Sequence, residues 1–193
     1  MTDIDPDLYT VLKTGYTNDS KKQADTLSRF GYARDDDLSS DKHQVYYNKD
    51  KNKLLFNVNG TQSASDWVTD AYLGAGHLKD TSRYQESKKI LEKSKQKYNP
   101  SSTSVSGHSL GGSIAQNIAG KDDNIVTLDS GYTIGQRTRG KSYRTAGDIV
   151  SLLGSTAKHM TTLKNPNWST GILPLDILNS HNVDNIKNKS IFI

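Results

Sequence analysis

The sequence predicts an α/β fold: a mixed, mostly parallel sheet flanked by helices, with an antiparallel hairpin near the N-terminus. Strand-like runs alternate with helical segments from residue 53 onward, which is the order typical of an α/β sheet. An additional strand-like run over 44–48 is joined to the one at 53–59 by a short polar turn at 49–52, as in a hairpin. The chain has 193 residues, and we expect residues 1–193 to form a single domain.

The composition indicates a globular protein with a lean core and a polar surface. Hydrophobic residues make up 33% of the chain and the formal net charge is only +4, while apolar runs such as Leu54–Val58 argue against disorder. The chain has no cysteine, which excludes disulfides, thiolate metal sites and a cysteine nucleophile. Its 25 basic and 21 acidic residues form no recognised nucleic-acid motif, so we expect no nucleic-acid partner.

Membrane insertion and export are not indicated by the sequence. No apolar stretch approaches the roughly 18 residues that suggest a transmembrane helix. The first ten residues are acidic and lack the apolar core of a signal peptide. These features predict a soluble protein, peripheral to membranes, and leave its compartment open, within a cell or in a virus particle.

The individual elements follow from hydrophobic spacing and turn residues. Before the hairpin strands 44–48 and 53–59, a helix is predicted over 20–30 and a charged turn over 35–41. A long helix over 81–98 ends at Asn99-Pro100, because proline cannot continue it. The remaining predicted elements are a strand over 102–106, a helix over 113–120, a buried strand over 125–129, a short run at 142–144 and a strand-like tail over 190–193.

The segment 104–113 contains the motif that carries chemistry. Gly107, Ser109 and Gly111 form the G-x-S-x-G pattern, in which a strand turns sharply into a helix and exposes the serine. The flanking glycines remove side chains that would collide in that turn. There the Leu110 N–H and the helix dipole face a developing oxyanion. The pattern predicts a nucleophile at Ser109, against the alternative of a glycine-rich turn that only packs tightly.

Three segments together resemble one known family. Residues Gly107–Gly112 read GHSLGG, the signature of the class 3 lipases, which comprise fungal-type triacylglycerol lipases and their phospholipase A1 relatives. Residues Phe56–Trp67 are similar to the family's strand that ends in Arg-Gly-Thr or Arg-Gly-Ser, with a tryptophan farther on. Residues Tyr143–Val150 are similar to the segment around its catalytic aspartate. The resemblance covers residues 53–181 and implies an α/β-hydrolase fold with a small lid segment.

The resemblance also implies the groups that bind a substrate. It places the second oxyanion donor at Thr61, across from the Leu110 N–H, although Asn59 stands where the family usually has arginine. The lid that follows is short and only mildly apolar, so interfacial activation is expected to be weak. The residues expected to form the lid and contact the substrate are Trp67, Tyr72 and Leu73.

Two carboxylates compete for the role of triad acid. Asp129 and Asp148 both follow Ser109, in agreement with the Ser–Asp–His order of α/β-hydrolases. Asp129 ends the best strand candidate, so geometry alone does not exclude it. The resemblance favours Asp148.

The base must be chosen from five histidines. His43 and His77 precede the serine, which is the wrong order, and His108 lies in the turn itself. His159 and His181 remain. The resemblance favours His181, which lies near the C-terminus like the family's catalytic histidine.

The resulting expectation is a serine carboxylester hydrolase, a lipase or phospholipase A1, with Ser109, His181 and Asp148 as its triad. Its partner would be a lipid ester, at a membrane or lipid-droplet surface. No cofactor is expected, and no metal, because the Asp and His residues lack clustered ligand spacing. The alternative is a lipase-like fold used as a binding or structural component of a larger assembly, for example a virus particle.

Overall fold

A seven-stranded sheet forms the centre of the molecule. The computed structural model describes residues 5–61, 78–131, 138–148, 150–151, 160–164 and 180–193. The strands of the sheet are β1 (Ala33–Arg34), β2 (His43–Asn48), β3 (Lys53–Val58), β4 (Ser102–His108), β5 (Asn124–Leu128), β6 (Lys141–Thr145) and β7 (Met160–Leu163).

The strands lie side by side in chain order, from β1 to β7. The pairs β1–β2 and β2–β3 are antiparallel, and every later pair is parallel. The prediction of a mixed, mostly parallel sheet with an N-terminal hairpin is therefore confirmed. Val58 pairs with Gly107 and His108 pairs with Leu128, so the carboxyl ends of β3, β4 and β5 lie together at one edge.

Four α-helices accompany the described strands: α1 (Leu8–Gly15), α2 (Ser20–Ser28), α3 (Ser82–Tyr98) and α4 (Leu110–Ile118). Short 3₁₀ turns cover Leu78–Asp80 and Val183–Ile186. The side chains of Asp7, Asp19 and Thr81 accept backbone N–H bonds at the starts of α1, α2 and α3, which supplies partners for otherwise unpaired donors. None of the helices in these ranges has the length and apolar character needed to cross a lipid bilayer.

Both faces of the sheet are covered. Phe56 of β3 packs in a core cluster with α3 and α4. Leu55, the adjacent residue of the same strand, points to the opposite face and packs with Leu27 of α2. On that opposite face, Leu12 of α1 packs with Leu128 of β5. Because helices cover both faces, the central strands are almost completely buried.

Several element boundaries differ from the sequence-based expectations. The helix predicted over 113–120 begins earlier, at Leu110. Ser109 is the residue just before the helix, and the two glycines that follow Leu110 do not delay its start. The preceding strand correspondingly extends to His108. The tail at 190–193 makes an isolated bridge, between Asp7 and Phe192, rather than a strand. The elements α1, β1 and β7 were not predicted.

Candidate active site

Ser109 lies at the sharp turn between β4 and α4. Its φ of 58° lies in the left-handed region, and the residue is 3% exposed. This backbone conformation is unfavourable for a residue with a side chain, and it is typical of the strained strand–helix turn that presents a nucleophile. A Cβ on Gly107 would collide with the Gly111 carbonyl, and a Cβ on Gly111 would collide with the Val58 carbonyl. Both glycines are therefore required by close packing around the serine.

The loop after β3 lies directly against this turn. A Cβ on Gly60 would lie 3.1 Å from Ser109 Cβ and 2.9 Å from the His108 carbonyl oxygen. Thr61 is the next residue, and its Oγ1 is buried with no hydrogen-bond partner in the described part of the chain. Leu110 is the first residue of α4, where backbone N–H groups have no partner within the helix. The residue before Thr61 and the first residue of α4 therefore both adjoin Ser109.

The loop is anchored at the position where the family usually carries arginine. Asn59 is 1% exposed, and its Nδ2 donates to the carbonyls of Gly15 and Asp41, at 2.7 Å each. Arg83 of α3 donates through Nη2 to the Asn59 carbonyl and, at 3.2 Å, to the Gly60 carbonyl. An arginine from a different element therefore holds the loop backbone, which the sequence did not indicate.

His181 and Asp148 are in direct contact. His181 Nδ1 lies 2.7 Å from Asp148 Oδ1, and the two side chains are 8% and 0% exposed. Asp148 Oδ2 also accepts hydrogen bonds from the Ser151 N–H, at 2.8 Å, and the Ser151 hydroxyl, at 2.5 Å. These bonds fix the carboxylate, which in turn fixes the orientation of the imidazole ring.

A second buried imidazole adjoins the first. The His108 ring centroid lies 4.7 Å from that of His181. Burial and the neighbouring His181 both lower the pKa of His108 well below its usual value, so His108 is neutral near pH 7. Its Nδ1 lies 2.8 Å from the hydroxyl of Tyr16, which also accepts the Gly60 N–H at 3.0 Å. Tyr16 follows α1, and the sequence does not indicate its role because no motif links it to Ser109.

Asp129 is the other acid left open by the sequence. It is 0% exposed, follows β5 with a φ of 47°, and accepts hydrogen bonds from Thr145 N–H, at 2.5 Å, and Thr145 Oγ1, at 2.9 Å. Burial, followed by repulsion from Asp148, raises the pKa of Asp129 well above its usual value. The carboxylate that contacts His181 is that of Asp148.

The fold also brings together a group of potential metal ligands. One ligand atom each from His108, Asp129 and His181 lie within 4.8 Å of one another, and all three residues are buried. The sequence shows no clustered ligand spacing, but the fold brings these three residues together although they are distant in the chain.

Several residues considered above lie outside the described part of the chain: Trp67, Tyr72 and Leu73 of the expected lid, and the histidines His77 and His159. His43 lies in β2, where its ring stacks on Phe56 with a centroid distance of 5.7 Å.

Comparisons with known proteins give matches at the level of structure. No protein-family model matches the sequence, and no curated protein matches it either. Lip2 lipase from Yarrowia lipolytica superimposes with a TM-score of 0.55 and 13% identity, over 82% of this chain and 76% of that chain. A mutant of MDLA from Penicillium cyclopium gives a TM-score of 0.51 and 14% identity, over 84% and 79%. The nonglycosylated form of the Yarrowia enzyme gives 0.51 and 16% identity, over 74% and 71%. With its mostly parallel sheet and flanking helices, the chain has the α/β-hydrolase fold found in fungal lipases.

Proposed function

We propose that the protein is a serine carboxylester hydrolase that acts on lipid esters. In this mechanism Ser109 Oγ attacks the ester carbonyl carbon while His181 takes its proton, and Asp148 orients the ring and stabilises the imidazolium. The N–H groups of Leu110 and Thr61 hold the oxyanion. His181 then returns the proton to the departing alcohol, and water hydrolyses the acyl-enzyme through the same base.

The contact between His181 Nδ1 and Asp148 Oδ1, at 2.7 Å, is the observation that carries this proposal. The two residues are 33 positions apart, and both are buried. Their contact forms beside His108, the residue that precedes the strained Ser109. A carboxylate-oriented imidazole beside the residue that precedes a strained serine supports the assignment of His181 as the base that activates the Ser109 hydroxyl.

The lipid part of the proposal is supported by the fold. The Yarrowia structures with this fold are lipases. A triacylglycerol or phospholipid at a membrane or lipid-droplet surface is the corresponding substrate class for this chain. A lipase or phospholipase A1 activity follows from the same triad, since both cleave a carboxylester bond.

Covalent labelling with a fluorophosphonate probe tests the activated serine. We expect the wild-type protein to be labelled and the Ser109→Ala and His181→Ala variants to remain unlabelled. Ser101→Ala is the matched control, because Ser101 is exposed and lies at the opposite end of β4. A folded wild-type protein that resists the probe, with and without phospholipid vesicles, would contradict the proposal and favour the alternative of a binding or structural component.

A further inference from the structure

The cluster formed by His108, Asp129 and His181 has the composition of a metal site. Each of the three residues contributes one ligand atom, and these atoms lie within 4.8 Å of one another. Tetrahedral zinc with bonds of 2.0–2.2 Å separates its ligand atoms by about 3.4 Å. Side-chain rotations that move each ligand atom inward by about 1 Å or less would therefore close the cluster around an ion.

Each of the three side chains also contacts a second polar group. Asp148 lies 2.7 Å from His181 Nδ1, and the Tyr16 hydroxyl lies 2.8 Å from His108 Nδ1. Thr145 donates two hydrogen bonds to the Asp129 carboxylate. Metal-binding histidines usually have the non-coordinating nitrogen fixed in this way, by a carboxylate or another oxygen.

The donor set selects the class of ion. Two imidazoles and one carboxylate suit zinc and other late first-row transition metals, whereas magnesium and calcium prefer oxygen ligands. Because Nδ1 of His181 contacts Asp148 and Nδ1 of His108 contacts the Tyr16 hydroxyl, coordination would use Nε2 of both histidines. The ring proton of His108 would then lie on Nδ1 and be donated to the Tyr16 oxygen.

We propose that Zn²⁺ binds to His108, Asp129 and His181 and thereby blocks the chemistry of Ser109. A metal on His181 Nε2 occupies the lone pair that must accept the serine proton, so the nucleophile is no longer activated. The binding step is independent of the proposed function, whereas the block on Ser109 rests on it.

Zinc binding is measured directly by isothermal titration calorimetry on the full chain. We expect one equivalent of Zn²⁺ to bind the wild-type protein, and Mg²⁺ not to bind at this site. His108→Gln and Asp129→Asn should each weaken zinc binding at least tenfold, since each removes one of three ligands. His43→Gln is the matched control, because His43 is a buried histidine outside the cluster and its loss should leave the affinity unchanged.

Circular dichroism verifies that each variant is folded, and two independent ligand variants keep the test decisive if one of them is not. An absence of zinc binding by the folded wild-type protein would overturn the proposal. An affinity that is equal in the wild type and in the folded ligand variants would overturn it as well, because the ion would then lie elsewhere.

The proposed block on Ser109 is tested by whether zinc protects this serine from the probe. One equivalent of Zn²⁺ should slow fluorophosphonate labelling of the wild-type protein, and a chelator should restore it. If the protein binds zinc at the three ligands but is never labelled, the metal site stands and the hydrolase proposal fails. If labelling occurs but site-bound zinc does not slow it, the proposed block is wrong.

Discussion

At the residue scale, two buried carboxylates near His181 must have different roles. Asp148 contacts the imidazole, whereas Asp129 is held by Thr145 and has a raised pKa. We expect Asp148→Asn to lower kcat by about four orders of magnitude, because the amide favours the wrong imidazole tautomer. Asp129→Asn should lose far less activity. Steady-state hydrolysis of a short-chain nitrophenyl ester measures both, and the reverse order of losses would move the acid to Asp129.

Tyr16 is predicted to position the loop after β3, which carries Gly60 and Thr61. Its hydroxyl accepts the Gly60 N–H and lies beside His108 Nδ1, and burial raises its pKa to about 12, so it stays protonated at neutral pH. Tyr16→Phe removes both contacts while keeping the ring. We expect kcat to fall about tenfold or more with little change in KM, because a displaced loop weakens transition-state binding rather than substrate binding.

Tyr9→Phe provides the comparison for this substitution. Tyr9 belongs to α1, and its hydroxyl donates to Asp184 at 3.0 Å rather than to the loop. Its loss should leave both kcat and KM near wild-type values. A Tyr16→Phe variant that raises KM with kcat unchanged would show that the hydroxyl acts on substrate binding instead.

The sequence indicated some of these residues but not others, for a physical reason. Ser109 and Leu110 lie within a local motif whose spacing is set by one turn. Asp148 and His181 were favoured by a resemblance, while the residues alone left alternatives. Tyr16 and Arg83 contact Gly60 in the loop after β3. These contacts depend on how α1 and α3 pack against the end of β3, and no local sequence pattern encodes this packing.

At the scale of elements, the start of α4 lies unusually close to the end of β3. Gly111, in its first turn, lies so near the end of β3 that a Cβ would collide with the Val58 carbonyl. Backbone atoms cannot move aside cheaply, so Gly111→Ala should lower the free energy of unfolding by about 3 kcal/mol. Urea denaturation measures the change.

Gly120, two residues beyond the C-terminal end of α4, supplies the control. A Cβ on Gly120 would lie 3.2 Å from Asp123 Oδ2 and 3.3 Å from Lys95 Nζ, which are ends of side chains. These atoms can shift, so Gly120→Ala should cost much less than Gly111→Ala. Equal costs would indicate that the close approach of Gly111 to β3 does not explain the effect.

The elements that the sequence missed are those whose stability comes from the rest of the fold. The α1 sequence contains threonines and ends in glycine, which are poor helix formers. Leu8 and Leu12 are nevertheless buried with Leu128 and Ile186, and this packing stabilises the helix. None of the four residues of β7 is fully buried, and its sequence lacks the apolar pattern by which a strand is recognised. By contrast, β3 is apolar enough to be recognised locally.

At the scale of the whole molecule, a lean core is supplemented by buried polar contacts between distant elements. Asp35 follows β1, and its side chain is only 3% exposed. It accepts bonds from Lys97 Nζ and the Tyr98 hydroxyl, at 2.7 Å each, and thereby ties the turn after β1 to the last turn of α3. Burial alone would raise the pKa of Asp35, but these bonds outweigh it and hold the pKa below its usual value.

This lowered pKa predicts how stability depends on pH. A carboxylate with a lower pKa in the folded state stabilises the fold above its unfolded pKa of about 3.9, and this contribution is lost as pH falls through the folded pKa. Asp35→Asn should therefore melt at a lower temperature than the wild type at about pH 7, and the difference should narrow toward pH 3. Asp122→Asn, at an exposed position, should show no such difference. A gap for Asp35→Asn that stays constant with pH would mean that Asp35 contributes through packing and neutral hydrogen bonds instead of its charge.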